Sequence, residues 1–356
     1  MARILVTGAT GLVGRHVVQR GLSLGHDIRA LVRTTSDLSA VDADQLEIVQ
    51  GDLTDRSSLQ SSLDNVNWVV HCAAKVGDWG PLEAYRTINV DALQTLLHIA
   101  HSSNIQRFVH ISSLGVYEMR DHHGTDETVA PNVSGMDAYT QTKGEGEQLV
   151  MEQSRKTGLP IVVLRPGFIY GPGDRTVLPR VLEKLQTKQL TLFGSGEQLM
   201  NNTYVGNLVD AIFLSLEHPN AIGEVFNVTD NQLVSKRVFF NTIADMAALP
   251  RVTKHVPLPI ARILAGLMES LFKLCKKKEA PILSKARFKF LGLNLDFSIE
   301  KIRKTLGYQP SWSFEEGMRQ SIDSFQNYGN GTSASQKDGT TAHTAYQAMT
   351  ALWTAL

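Results

Sequence analysis

The chain has 356 residues, and its 35 lysines and arginines balance 35 aspartates and glutamates, so no net field recruits nucleic acid. That length supports one large α/β domain plus a smaller lobe. Cys72 and Cys275 stand without a pairing pattern, no signal-peptide layout opens the chain and no stretch is apolar over a bilayer-spanning length, which together predict a cytoplasmic protein with buried, reduced thiols.

Arg3-Ile4-Leu5-Val6-Thr7 reads as a short strand running into Gly8-Ala9-Thr10-Gly11-Leu12-Val13-Gly14. Glycines at that spacing, between a strand and a helix, make a turn that aims backbone N–H groups at a pyrophosphate. The anion then sits at the positive end of the helix. Residues 12–24 keep a helical apolar rhythm and stop at Gly25, a C-terminal glycine. Strands follow at 27–32, 46–50, 68–72, 107–111 and 160–164, with 225–228 as a seventh, and helices at 84–101 and 139–157 lie among them. This alternation predicts a Rossmann-type α/β fold, a doubly wound parallel sheet with helices on both faces.

Past residue 172 the alternation loosens into helices at 179–185, 208–216, 235–247 and 260–274. The organisation predicted is a dinucleotide-binding domain over 1–172, its sheet completed by about 206–230, and an interleaved, mostly helical substrate lobe over 173–328. Residues 329–356 open on a glycine-, serine- and threonine-rich stretch and are expected to be disordered. The polar stretch 118–136 suggests a substrate lid. His71 and Cys72 read as packed strand-end residues. His122-His123 falls in a loop without partners at ligand spacing, so no metal is predicted.

Tyr139 and Lys143 are four apart on a predicted helix and share one face. A free tyrosine titrates near ~10 and is a poor base, but an ammonium and an oxidised nicotinamide nearby both favour the phenolate. In the reductive direction the same phenol donates its proton to a carbonyl oxygen. Ser113, at the end of the fifth strand, is placed to hydrogen-bond that oxygen. Each residue alone has a plainer reading: Tyr-x-x-x-Lys is often an ordinary helix face, Ser112-Ser113 can simply end a strand, and Asn89 can be a packing residue. Occurring in order behind a glycine-rich turn, Ser113, Tyr139 and Lys143 read as catalytic.

Taken together, Thr7-Gly8-Ala9-Thr10-Gly11-Leu12-Val13-Gly14, Gly51-Asp52-Leu53-Thr54-Asp55, His71-Cys72-Ala73-Ala74, Asn89-Val90, Ser112-Ser113, Tyr139…Lys143 and Arg165-Pro166-Gly167 occur in register. In that order they resemble the extended short-chain dehydrogenase/reductase superfamily, over roughly residues 1–327. Within it the chain is similar to the 3β-hydroxysteroid dehydrogenase and dihydroflavonol reductase branch. That likeness is carried by Arg165-Pro166-Gly167-Phe168-Ile169-Tyr170-Gly171-Pro172-Gly173-Asp174, by Tyr204-Val205-Gly206-Asn207-Leu208-Val209-Asp210-Ala211 and by the apolar segment from Pro257 to Cys275. The stretch Ala73-Ala74-Lys75-Val76-Gly77-Asp78-Trp79-Gly80 looks like bacterial relatives that reduce long-chain 2-alkyl-3-oxo acids.

The resemblance implies a nicotinamide dinucleotide held by Gly8, Thr10, Gly11, Leu12, Val13 and Gly14. It also implies adenine contacts from Asp52 and Leu53, and Ala73, Ala74 and Lys75 beneath the pyrophosphate and ribose. It further implies Pro166 at the cofactor, Lys143 on the ribose hydroxyls, and Asn89 in support of the catalytic set. Cofactor choice rests on the end of the second strand, Ala30-Leu31-Val32-Arg33-Thr34-Thr35-Ser36. No carboxylate stands there to take a ribose 2′-hydroxyl, and Arg33 can pair with a 2′-phosphate, so NADP(H) is favoured with NAD(H) still open. A solvated arginine is the plainer alternative.

Ile260, Ile263, Leu264, Leu267, Leu271 and Leu274 follow helical spacing and precede Lys276-Lys277-Lys278. They read as a helix packed on the lobe with a solvated basic end, or as an apolar wall for a lipid-like substrate. In the second case residues 257–278 make weak membrane-surface contact. Trp79 can roof such a pocket or fill a core. The superfamily's habit of pairing two long helices suggests a homodimer through 84–101 and 139–157. The leading function is an NAD(P)-dependent ketone/alcohol oxidoreductase acting on a hydrophobic small molecule, steroid-like or a 3-oxo acid. A nucleotide-sugar epimerase or dehydratase using the same Tyr139 and Lys143 is the alternative. A non-catalytic cofactor-binding regulator is disfavoured by the intact set.

Overall fold

The structure, a computed structural model, describes residues 1–335 apart from Ala40, Val133, Gly135, Met136, Lys276 and Lys278. In chain order the first half comprises β1 (Arg3–Thr7), α1 (Leu12–Ser23), β2 (Asp27–Val32), β3 (Glu47–Gln50), α2 (Arg56–Ser62), β4 (Trp68–His71), α3 (Leu82–Arg86), α4 (Ala92–Ser102), β5 (Arg107–Ile111), β6 (His122–Thr125), α5 (Ala138–Thr157) and β7 (Ile161–Pro166). The second half adds β8 (Phe168–Tyr170), α6 (Leu178–Gln186), β9 (Thr191–Phe193), β10 (Asn202–Tyr204), α7 (Val205–Glu217), β11 (Val225–Val228), α8 (Lys236–Met246), β12 (Lys254–Val256) and α9 (Leu258–Leu274). The last elements are α10 (Lys285–Gly292), β13 (Leu295–Phe297), α11 (Glu300–Leu306) and α12 (Phe314–Ser335).

Seven strands form one parallel sheet in the order β11-β7-β5-β4-β1-β2-β3. Strands buried on both faces need near-continuous apolar runs, and β5 and β7 are buried along their whole length. Alternate residues of one strand point to opposite faces. Ile4, Val6 and Val109 pack with Leu208 and Ile212 of α7 on one side, while Leu5, Val69 and Phe108 pack with Leu93 and Leu96 of α4 on the other. The chain leaves β1 toward β2 on one side and β4 on the other, so a crevice opens at the carboxyl ends of these strands, as the reversal of strand order requires.

Several elements differ from the sequence reading. The helix expected over 84–101 is α3 and α4 joined through a π-helical turn at Thr87–Asp91 that carries Asn89. The stretch expected as a lid is pinned: β6 pairs with β13, and His122 is fully buried, its ring 4.5 Å from that of Phe297 and bonded to Thr125 and the Glu118 carbonyl. His122 is therefore a packed strand residue rather than a loop one. Cys275 is exposed and Cys72 only partly buried, against the expectation of buried thiols. The tail expected to be disordered from 329 continues α12 as far as Ser335, because the helical ladder runs on past Tyr328, and residues 336–356 lie outside the described residues. The three-residue strands β8, β9, β10, β12 and β13 are too short to show a period, which is why the lobe read as helical.

Beneath the crevice, Arg165 of β7 meets Glu147 of α5, each side chain 3% exposed. Arg165 Nε donates to both Glu147 carboxylate oxygens at 3.0 and 3.1 Å, Ser112 Oγ donates to Glu147 at 2.7 Å, and Arg165 Nη1 donates to the Tyr117 hydroxyl at 2.6 Å. Removing one partner leaves a buried charge without compensation. Glu147→Ala should therefore cost about 3–5 kcal/mol of stability, read as a fall in the urea midpoint.

Candidate active site

The crevice is a cleft of about 790 Å³ whose lining begins with the turn between β1 and α1. Gly8 has φ +70°, and a Cβ there would lie 2.8 Å from the Ala73 backbone nitrogen. A Cβ on Gly14 would overlap the Gly8 carbonyl. The turn thus closes only with glycine at both positions. Gly11 begins α1 without any side-chain cap, so the positive end of a twelve-residue helix faces the cleft undisguised. An anion fits this end.

Thr10, Leu12 and Val13 line the same wall, with Leu53, Ala73, Ala74 and Lys75 opposite. At the far rim Arg33 is exposed at the end of β2 beside Ser36. Asp52 also lines the cleft, but its carboxylate accepts from Thr54 N at 2.9 Å and Thr54 Oγ1 at 2.7 Å, bonds that hold it below the usual carboxylate range. Two expected residues stand elsewhere. Pro166 is buried in register with Val228 and is not part of the lining; Ile169 and Gly173 to Thr176 line the cleft instead. Asn89 is likewise behind the wall. Its Oδ1 accepts from Lys75 N at 2.8 Å, and its Nδ2 donates to Lys75 O and to Thr142 Oγ1 at 3.1 and 3.0 Å. It positions the Lys75 segment against α5 and is not a catalytic residue. Arg175, unremarked in the sequence, pairs with Asp37 at 2.7 Å across the rim.

Tyr139 and Lys143 line the inner end of the cleft, brought there by the first turns of α5. The helix starts at Asp137, whose carboxylate accepts from Thr140 N and Oγ1 at 2.9 and 2.8 Å. An Asp at the N-cap position satisfies a backbone N–H that the first turn leaves open, and this cap is a signal that the sequence carries. Ser113 caps the short turn after β5, accepting from Gly115 N at 3.0 Å, and its hydroxyl bonds the Tyr139 phenol. Burial pushes that phenol up to about 12, with Ser113 pulling down and the Asp137 carboxylate adding to the rise. Lys143 Nζ donates to the Ile111 carbonyl at 2.5 Å, and burial lowers its own value to about 8, against the opposing pull of Cys72 and Glu147. At neutral pH the phenol therefore carries its proton. Among the described residues no group of three or more His, Cys, Asp or Glu is gathered as a metal site would require.

A buried lysine held near 8 binds its proton less tightly than in the unfolded chain, where it titrates near ~10.4. Below the folded value the penalty is fully present, and it disappears as pH rises through the unfolded value. Lys143→Met should therefore be more stable than the parent at pH 7 by about 1–3 kcal/mol, the difference closing toward pH 10. Its turnover should fall by at least about a hundredfold. Thermal melts at several pH values and steady-state kinetics check the two halves.

A family model described as the NAD dependent epimerase/dehydratase family matches residues 4–229. The chain is 27% identical over 331 residues to the 2-alkyl-3-oxoalkanoate reductase of Shewanella oneidensis, covering 90% of this chain and 85% of that protein. It is 29% identical over 336 residues to the 3 beta-hydroxysteroid dehydrogenase/Delta 5-->4-isomerase of Mycobacterium tuberculosis, covering 90% of each. A UDP-glucuronic acid 4-epimerase from Bacillus cereus, solved with UDP-glucuronic acid and NAD, shares the fold at a TM-score of 0.73 and 23% identity, over 92% of this chain and 99% of that one. A glycine turn that admits an anion, a proton-bearing phenol at its inner end and a match spanning most of the sheet converge on one assignment: the chain belongs to the NAD dependent epimerase/dehydratase family.

Proposed function

We propose that the enzyme is an NAD(P)-dependent oxidoreductase that interconverts a ketone and a secondary alcohol on a hydrophobic substrate. The observation that carries this reading is the protonated, half-buried Tyr139 phenol bonded to Ser113 at the inner end of the cleft. A nicotinamide dinucleotide held in the cleft would supply or accept the hydride. Tyr139 then donates its proton to the carbonyl oxygen in reduction, and Ser113 holds that oxygen in place. Lys143 lies one turn along α5 at the same wall, where its ammonium can take ribose hydroxyls. Two relatives matched over nine-tenths of the chain are named for a 3-oxoalkanoate and a 3β-hydroxysteroid, which supports an extended apolar ketone or alcohol here. Free Cys72 and Cys275 support a cytoplasmic setting. A homodimer through the helices of residues 84–101 and 139–157 rests on superfamily analogy.

NADP(H) is the preferred cofactor in this reading. Val32-Arg33 ends β2 without a carboxylate, Ser36 stands beside Arg33, and the carboxylate of nearby Asp37 is engaged by Arg175 and Ser39 N. Arg33→Ala should weaken NADPH binding by about tenfold to a hundredfold, the worth of a charge-assisted bond, with NADH hardly affected. Nucleotide fluorescence titration measures both, and equal losses would refute the preference.

An epimerase reading draws on the shared fold with a UDP-sugar enzyme. NADPH and NADH consumption should be followed against 3-oxo acids and steroid ketones, and conversion of UDP-sugars by chromatography of the products, since an epimerase returns its hydride and consumes no net nucleotide. Turnover on the apolar ketones is expected, and turnover on UDP-sugars alone overturns the substrate assignment. Tyr139→Phe should lose about 10²–10⁴-fold in kcat while still binding nucleotide.

A further inference from the structure

A surface helix normally turns its apolar stripe inward, and α9 does the reverse. Ile260, Ile263, Leu264, Leu267, Leu271 and Leu274 fall within an arc of about 100° on a helical projection. All six are exposed, Leu267 at 63% and Leu274 at 81%. The buried face of α9 is the opposite one, Ala261, Ala265 and Glu269. Through the alanines the helix is already seated against Leu283 and Phe288 of the following segment. The outward stripe is therefore not half of an unfinished core. A contiguous apolar face of this kind marks an interaction surface.

Charge identifies what covers it. Residues 251–292 hold ten lysines and arginines against two glutamates, in a chain whose total is balanced. One of those glutamates, Glu269, is already engaged by Lys273 Nζ and by Lys285 N, at 2.7 and 2.9 Å. The exposed charges on α9, Arg262 and Lys273, are both cationic and share one flank of the helix, and exposed Lys277 follows. A second copy of this chain docked by two-fold symmetry would set this cationic margin against itself. A bilayer with anionic headgroups satisfies the apolar stripe and its margin together.

The same helix is tied to the cleft. The Trp79 indole N–H donates to the Lys277 carbonyl at 3.1 Å, and its ring stands edge-on to Phe272 with centroids 6.5 Å apart. Trp79 lies four residues beyond Lys75 on the segment that lines the cleft, and its carbonyl accepts from the Tyr85 hydroxyl at 3.0 Å. On the other side Lys289 of α10 donates to the Gly115 and Tyr117 carbonyls, just past Ser113. We propose that α9 docks on the surface of a membrane containing anionic lipid, its leucine–isoleucine stripe among the acyl chains and its lysines at the headgroups, with the cleft beside the bilayer. No helix of the described residues is long and apolar enough to cross a membrane, so the contact is interfacial.

The full-length protein should co-sediment with phosphatidylcholine vesicles containing phosphatidylglycerol about tenfold more tightly than with phosphatidylcholine alone, and added salt should weaken the binding. Leu267→Glu and Ile263→Glu should each lose about tenfold in vesicle binding, with turnover of a water-soluble ketone unchanged. Tyr139→Phe should bind vesicles like the parent, which separates this surface from the catalytic reading. Absence of binding to anionic vesicles, or binding untouched by Leu267→Glu, overturns the proposal. So does a dimer that Leu267→Glu converts to monomer without any vesicle binding, since the face then belongs to a second copy.

Discussion

The ion pair between Arg165 on β7 and Glu147 on α5 is closed to water on both sides, and Ser112 and Tyr117 complete its hydrogen bonds. It joins the sheet to the helix that carries Tyr139 and Lys143, one turn below the lysine. A carboxylate and a guanidinium buried this way add little net stability compared with an apolar pair, but they tolerate no other partner. Their value is positional. With Glu147 held, α5 cannot rotate or slide on β7, and the two side chains that must meet a cofactor stay at the carboxyl end of the sheet. Asn89 does the same work from the other side, tying the Lys75 segment to Thr142.

Burial sets the chemistry of this end of the cleft. The same exclusion of water moves the phenol up and the ammonium down, to about 12 and about 8. Each shift favours the neutral form, as desolvation demands. A phenol that keeps its proton at neutral pH is ready to protonate a carbonyl oxygen, which is the reductive half of ketone/alcohol chemistry. Lys143 meanwhile anchors on the Ile111 carbonyl at the tip of β5, close to the strand end that also carries Ser113. Three residues far apart in sequence thus share one strand terminus and one helix start.

The seven strands of the sheet were legible because each is a run of apolar residues between turn signals. The glycine turn was legible because no other residue fits Gly8 or Gly14. The end of α1 followed from Gly25. The lobe was harder. Its three-residue strands carry no period, and β6 with β13 is a pairing between segments about 170 residues apart, joined by His122, Phe297 and a ladder that local pattern does not encode. Asn89 was assigned a supporting part, but the partners through which it acts, Lys75 and Thr142, were not legible, because its motif says nothing about which way a side chain faces inside a π-helical turn. Pro166 was misplaced for a related reason: the Arg165-Pro166-Gly167 motif is in register with the sheet, and its proline pairs with Val228 while Ile169 reaches the cleft.

The residues themselves determined the doubly wound sheet, the anion-admitting turn and the spacing that puts Tyr139 and Lys143 on one helical face, since all three follow from short-range sterics and periodicity. Tertiary structure alone decided the upward shift of the phenol, the buried partners that hold α5, and the face of α9 left to solvent. Desolvation and burial are properties of what surrounds a side chain, and those surroundings are assembled from segments that never meet in the sequence.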